Sequence, residues 1–343
     1  MNMRYGLVLA VVWLFSMRSC AEVATYYGMC DASAALGVGE EHFIIANDED
    51  NILRLYHIDK KLPVRTFDLT SFFKIRNDDK RPESDIEGAA KLDDYNFFIT
   101  SHGRDKKGRM SWNRHQFFAV RIDPRTLQIE PVGVAYRDLL DDIFRLEAVK
   151  KLSMEDSYLP QEKRNDQLAP KERGVNIEGL AAAPNGRSLL IGFRNPIPGG
   201  RALVIELLNP VAVVAESQPP KFGETFLLDM GNRGVRSIEF DPLQRCYLVI
   251  GGPADDEIDA KLYVWDGLDS APVEIESIDF SRFEKFTPEA LFFSQQNSVL
   301  QIFSDDGTIK KINAAGDKCD CKDLGRDEEK SFRDWRIERE ALR

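Results

Sequence analysis

Asp85-Ile-Glu-Gly-Ala and Asn176-Ile-Glu-Gly-Leu are close copies of one another, and three further segments follow the same template. They are Asp31-Ala-Ser-Ala-Ala, Ser237-Ile-Glu-Phe-Asp and Thr287-Pro-Glu-Ala-Leu. The matched positions are Ser33, Glu87, Glu178, Glu239 and Glu289, separated by steps of 54, 91, 61 and 50 residues. A unit that recurs at such intervals, each time followed by strand-like runs, is the sequence form of a β-propeller, in which each repeat is one blade. Carboxylates at one matched point of each blade would converge on the central channel.

Each repeat has the same internal order. A first strand carries the matched residue, and two apolar strands follow, separated by a polar loop. Blade one shows His42-Phe-Ile-Ile-Ala and Ile52-Leu-Arg-Leu-Tyr; blade two shows Asn96-Phe-Phe-Ile-Thr and Gln116-Phe-Phe-Ala-Val. Blade three shows Ser188-Leu-Leu-Ile-Gly and Ala202-Leu-Val-Ile-Glu; blade four shows Cys246-Tyr-Leu-Val-Ile and Lys261-Leu-Tyr-Val-Trp. Blade five shows Val299-Leu-Gln-Ile-Phe and Thr308-Ile-Lys-Lys-Ile. β-Branched and aromatic runs punctuated by Asn, Asp and Gly are strand and hairpin signals, and Asn185-Gly186 and Asp306-Gly307 are turn pairs. The fold class is therefore all-β: a single propeller of five four-stranded blades, with six as the alternative. The step of 91 residues holds an insertion at 137–173, where Leu139, Leu140, Ile143, Leu146 and Val149 follow a helical period. Tyr26-Tyr-Gly-Met is expected as the outer strand of the last blade, closing the ring.

Counting from each matched position defines a channel mouth. Asp48 lies 15 residues after Ser33, His102 15 after Glu87, Arg194 16 after Glu178, Gly252 13 after Glu239 and Asp305 16 after Glu289. Successive strands of a blade run antiparallel, so these loop residues open on the same face as the matched glutamates. The insertion would overhang that face as a lid. Converging carboxylates repel unless a cation, a proton or a basic partner intervenes. Oxygen ligands from Glu87, Glu178, Glu239 and Glu289 suit Ca²⁺ best, then Mg²⁺; His102 would widen the choice to Mn²⁺ or Zn²⁺. The bland reading is that the glutamates cap backbone amides, with Arg194 and Arg236 neutralising them. Ser101-His102-Gly-Arg104, running on to Arg109 and Arg114, is either an anion contact or a solvated hairpin.

Met1 to Arg4 are basic, Leu7 to Phe15 apolar, and Ser19-Cys20-Ala21 fits a small-residue cleavage site. Residues 1–21 read as a secretory signal peptide and 22–343 as the propeller domain; lipid attachment at Cys20 is the lesser alternative. The chain carries a net charge of −11, and removal of Arg4 and Arg18 makes it −13. That balance argues against nucleic acid as a partner. No later segment could span a membrane, and a secreted or periplasmic monomer is expected. Of the four remaining cysteines, Cys246 sits in an apolar run as a buried thiol. A bridge from Cys30 to Cys319 or Cys321 would staple the ring in an oxidising compartment. There is no Gly-x-Ser-x-Gly, His-Glu-x-x-His, Cys-x-x-Cys or phosphate-cradling glycine loop.

The ordered set Asp31-Ala-Ser-Ala, Asn47 to Tyr56, Asp85-Ile-Glu-Gly-Ala, Ser101-His102-Gly-Arg and Asn176-Ile-Glu-Gly-Leu-Ala resembles the bacterial domain of unknown function 3616 family. The resemblance covers nearly the whole mature chain and implies no activity, since none is established for that family. Ile-Glu-Gly-Leu alone is also similar to esterase-like phytase propellers and to calcium-binding propellers of the SdiA-regulated type. Those families imply a divalent cation on channel carboxylates, carried over here to Glu87 and Glu178. Glu239 and Glu289 lack the following glycine, and Ser33 lacks the carboxylate. Two functions are consistent with these readings. One is hydrolysis of a small anionic substrate, a phosphate ester or lactone. In it His102 is the acid or base, and Arg104, Arg194, Asp48 and Asp305 face the substrate. The other is non-enzymatic binding of a protein, glycan or envelope component.

Overall fold

The computed structural model describes residues 22–76, 79–80, 82–255, 259–268, 270–294 and 298–342. Residues 1–21, read above as a signal peptide, and Cys20 with them, lie outside the described residues. The first strand, β1 (Glu22–Tyr27), is followed by blade one: β2 (Ala34–Val38), β3 (His42–Ala46), β4 (Ile52–His57) and β5 (Arg65–Asp68). Blade two is β6 (Ile86–Leu92), β7 (Tyr95–Thr100), β8 (Phe117–Ile122) and β9 (Ile129–Pro131). Helices α1 (Leu139–Phe144) and α2 (Glu147–Lys150) then precede blade three. That blade is β10 (Asn176–Ala182), β11 (Leu189–Asn195), β12 (Ala202–Leu207) and, after helix α3 (Pro210–Glu216), β13 (Phe222–Leu228). Blade four is β14 (Gly234–Asp241), β15 (Cys246–Gly252), β16 (Lys261–Trp265) and β17 (Val273–Glu274). The last stretch holds β18 (Pro288–Ser294), β19 (Val299–Ser304), β20 (Lys310–Ile312), β21 (Lys318–Asp320) and β22 (Ser331–Glu338).

Five four-stranded antiparallel sheets result, so the five-blade reading holds over the six-blade one. The inner strands β2, β6, β10, β14 and β18 each pack on the next, and β18 returns to β2. Blade five has the order β18-β19-β22-β1. Its outer strand comes from the other end of the chain, with Glu22 opposite Arg336 and Tyr27 opposite Ser331. The expected role of Tyr26 is thereby met. The third strand of blade five is a correction: it is β22, not Thr308–Ile312. Among the described residues, 310–312 pair only with 318–320, in a small separate hairpin. Their pattern is half-exposed, with Ile312 facing solvent, whereas Phe332, Trp335 and Ile337 of β22 are buried.

Apolar side chains fill the wedges between blades. Phe97, Phe117, Leu180 and Ile191 form one such cluster between blades two and three. Leu139, Leu140, Ile143 and Val149 of the insertion join it, so α1 and α2 are packed into the wall. The rest of the insertion is tied to the loop between β7 and β8. Arg104 donates to the carbonyls of Leu159 (2.6 Å) and Glu162 (2.9 Å), and Asn165 N–H donates to Gly108 O. The segment is a pinned strap beside the mouth. Cys30 is bonded to Cys321, while Cys246 is a buried thiol and Cys319 a half-buried one.

Candidate functional site

The Ile-Glu-Gly pattern has a geometric cause. In β6 the ladder to β7 shifts between Ile86 and Gly88, and in β10 the ladder to β11 shifts between Ile177 and Gly179. Glu87 and Glu178 are the extra residues of β-bulges, a device that re-aims a side chain. The glycine that follows lets the neighbouring blade close in. A Cβ on Gly179 would lie 2.6 Å from Val235 Cγ1, and one on Gly88 would lie 3.1 Å from Glu178 O. Blade five bulges at Glu289, between Pro288 and Ala290. Blade one has an unbroken register from Ala34, and Ser33 bonds to Ala46 O and Ile86 O instead.

Blade four corrects the sequence alignment. Its bulge lies between Val235 and Ser237, so the structural match to Glu87, Glu178 and Glu289 is Arg236, not Glu239. Glu239 lies three residues further on. Three residues past the other bulges stand Ala90, Ala181 and Phe292, all buried in the apolar wedges. Glu239 therefore faces between blades, and its charged neighbour is Asp241, the ion partner of Arg339. The misfit was visible in the spacing: Gly252 is 13 residues from Glu239 but 16 from Arg236. Desolvation first, and Asp241 second, push the Glu239 carboxyl up to about 8. A carboxyl raised in the folded state contributes most below its unfolded pKa, near 4, and its contribution is lost as pH rises towards 8. Every tenfold gain in proton affinity on folding is worth about 1.4 kcal/mol. Glu239→Gln is expected to flatten the fall in stability between those pH values, read by urea unfolding across a pH series. A parallel curve for the variant would remove this account.

The remaining carboxylates gather at one end of the ring. One oxygen each from Asp48, in the loop after β3, and from Asp85 and Glu87, at the start of β6, lie within 4.8 Å of one another. Asp85 holds a left-handed backbone (φ 61°), tolerated by Asp better than by most residues. Its Oδ2 accepts from Arg114 Nη1 at 2.8 Å. Burial, then Asp305, Asp85 and Glu289, raise the Asp48 carboxyl well above its ordinary range. Burial, then Asp85, Glu178 and Asp48, do the same to Glu87. Asp31 completes the group: burial, then Asp48 and Asp305, push it up to about 10, and it shares a hydrogen bond with Asp305. Glu289 is pushed up to about 8 by burial and Asp305, against the opposing charge of Arg236, which pairs with it. Asp48 Oδ1 and Glu178 Oε2 are buried with no hydrogen-bond partner among the described residues.

Arginines line the rim of this cluster, and each is engaged. Arg194 Nη1 donates to Glu178 Oε1 (2.8 Å), Nε to Pro253 O (3.1 Å) and Nη2 to Asp255 O (2.7 Å). Lys322 donates to Glu49 at 2.7 Å. Arg104 spends its guanidinium on the strap. His102 is buried beside His115, their ring centroids 5.4 Å apart. Burial lowers its pKa to about 4, with no carboxylate contributing. The structure thus brings together Asp48, Glu87, Glu178, Glu289 and Asp305, adds Asp31 and Asp85, and sets Glu239, His102 and Arg104 apart.

A five-bladed propeller with an electronegative mouth built at bulged inner strands is the class these features define. The chain belongs to the protein family of unknown function DUF3616, whose model matches residues 31–121 and 142–285. No curated protein matches it. Similar solved structures include the RRP9 WD40 repeats, at 9% identity and a TM-score of 0.37 over 83% of this chain. The chain spans 61% of that one. Another is a structural genomics protein of unknown function from Bacteroides thetaiotaomicron VPI-5482, at 9% identity and a TM-score of 0.41 over 92% of this chain and 76% of that one.

Proposed function

We propose that the protein is a secreted or periplasmic propeller that holds a divalent cation, Ca²⁺ before Mg²⁺, at its mouth. Through that cation it binds and hydrolyses a small anionic substrate. The observation that supports this is the approach of Asp48, Asp85 and Glu87 oxygens in a desolvated place, with Asp48 Oδ1 lacking any other partner among the described residues. Three hard oxygens from two segments match the chemistry of Ca²⁺ binding. A bound divalent ion would polarise a phosphate ester or lactone oxygen. Arg104 and Arg194 are committed elsewhere, so the substrate's negative charge would rest on the cation. Among the described residues no helix is long and apolar enough to cross a membrane. The Cys30–Cys321 bridge accords with an oxidising compartment.

The non-enzymatic reading draws on one observation, that His102 and both arginines are turned to other partners. One experiment separates the two. The protein is stripped with EDTA and melted with Ca²⁺, Mg²⁺, Mn²⁺ or Zn²⁺ added back. At one hundred times its dissociation constant a cation is expected to stabilise by about 2.7 kcal/mol, and Asp48→Asn/Glu87→Gln to lose that gain. Failure of every cation to raise the midpoint would sink the cation site. A gain without Glu87-dependent turnover of phosphate esters or lactones would leave a binding protein.

A further inference from the structure

We propose that His102 and His115 form a second metal site, a two-imidazole seat for a single d¹⁰ cation, Cu⁺ or Zn²⁺. It is separate from the carboxylate mouth and independent of the function proposed above.

Hydrogen-bond accounting leaves both rings short of partners. His102 and His115 are 2% and 1% exposed. His102 Nδ1 lies 2.8 Å from Thr100 O. A carbonyl only accepts, so Nδ1 carries the proton and Nε2 is left as a bare lone pair. A ring nitrogen held to a backbone carbonyl in this way is the usual support of a metal-bound histidine, because it fixes both tautomer and ring orientation. His102 Nε2 has no partner among the described residues, and neither does His115 Nε2. Two orphaned ring nitrogens on adjacent buried rings are costly unless something occupies them. The rings do not solve the problem between themselves, since neither Nε2 bonds to the other ring although their centroids are 5.4 Å apart.

The backbone is arranged for this pairing. His102 is held in the left-handed region, at φ 52°, which histidine enters more readily than most residues other than glycine. Its amide is fixed on Arg114 O, and that of His115 on Trp112 O. The half-exposed ring of Trp112 lies against that of His115, tilted by 48° with centroids 5.1 Å apart. Burial keeps both imidazoles neutral at physiological pH, and the neutral ring is the ligating form. Imidazole suits zinc and copper. The positive charges of Arg104 and Arg137 act on His115 and favour the ion of lower charge, which ranks Cu⁺ above Zn²⁺.

The test uses the full mature protein carrying Asp48→Asn/Glu87→Gln, so that the mouth cannot contribute. It is titrated with Zn²⁺, and anaerobically with Cu⁺ delivered from a chromogenic chelator. One equivalent of at least one ion is expected to bind, and to bind at least tenfold more weakly after His102→Gln/His115→Gln. X-ray absorption of the loaded protein is expected to show imidazole nitrogens at about 2.0 Å. Should the double histidine variant not fold, His115→Gln alone and the absorption spectrum decide. Absence of a bound equivalent, binding indifferent to the histidines, or a shell of oxygen alone would each overturn the proposal.

Discussion

Arg194→Met is expected to destabilise the protein by about 3–5 kcal/mol, the usual cost of stranding one partner of a buried ion pair. Arg194 is 4% exposed, and its guanidinium donates in three directions at once. The carboxylate of Glu178 belongs to blade three, while the carbonyls of Pro253 and Asp255 belong to the loop of blade four. Methionine keeps the volume and removes every donor. Glu178 then retains only Asn176 Nδ2, with its second oxygen already unpartnered among the described residues. Lysine is a poor substitute, because a point charge cannot span a planar three-way fork. Removing both charges in Arg194→Met/Glu178→Leu is expected to recover much of the loss. Urea unfolding of the four proteins forms the cycle. A single-mutant loss below about 1 kcal/mol would show that Arg194 is not a clamp and would return it to the role of an anion-holding residue.

Loss of the Cys30–Cys321 bridge is expected to cost about 5 kcal/mol. Its cysteines are 291 residues apart. In the chain-entropy account a loop of 100 residues already contributes about 4.7 kcal/mol, and the dependence beyond that is logarithmic. Both sulfurs sit in an apolar patch with Leu324, so Cys30→Ser/Cys321→Ser also buries two hydroxyls there. Cys319 packs against the same patch, and Cys319→Ser in the same background prevents it from replacing a lost partner. The denaturation midpoint of the wild type should fall when reductant is added, while that of the variant stays where it is. Equal midpoints in oxidised and reduced wild type would refute this expectation.

Most strands were legible because each blade repeats one rule: a short apolar run, a polar turn and another run. Where the rule has local content, as in Phe117–Val120 or Cys246–Ile250, the reading and the structure coincide. It failed where pairing is non-local. Thr308–Ile312 has a strand's composition, but the place beside β19 goes to β22, whose Trp335 and Ile337 bury more apolar surface. At the site, the Ile-Glu-Gly signal found Glu87 and Glu178 because bulge and glycine leave a joint mark. Blade four keeps the bulge but changes the residue to Arg236, and an alignment anchored on Ile-Glu slid three places to Glu239. Asp85 heads its repeat without any mark of a ligand, and its nearness to Asp48 and Glu87 is seen only in three dimensions. His102 was placed correctly in its loop, but an offset count cannot tell which way a ring turns.

The pairing of β1 with β22 governs when this molecule can exist as a ring at all. Blade five stays one strand short until two stretches about 300 residues apart in the chain meet, a contact of the most distant and slowest kind. A nascent polypeptide emerging end-first can therefore assemble blades one to four while remaining open, with β18 and β2 exposing unpaired wedge surfaces. Closure waits for both strands, and loss of either β1 or β22 unlatches the same blade. β1 and β22 are in that sense one structural element, since each is held by the other.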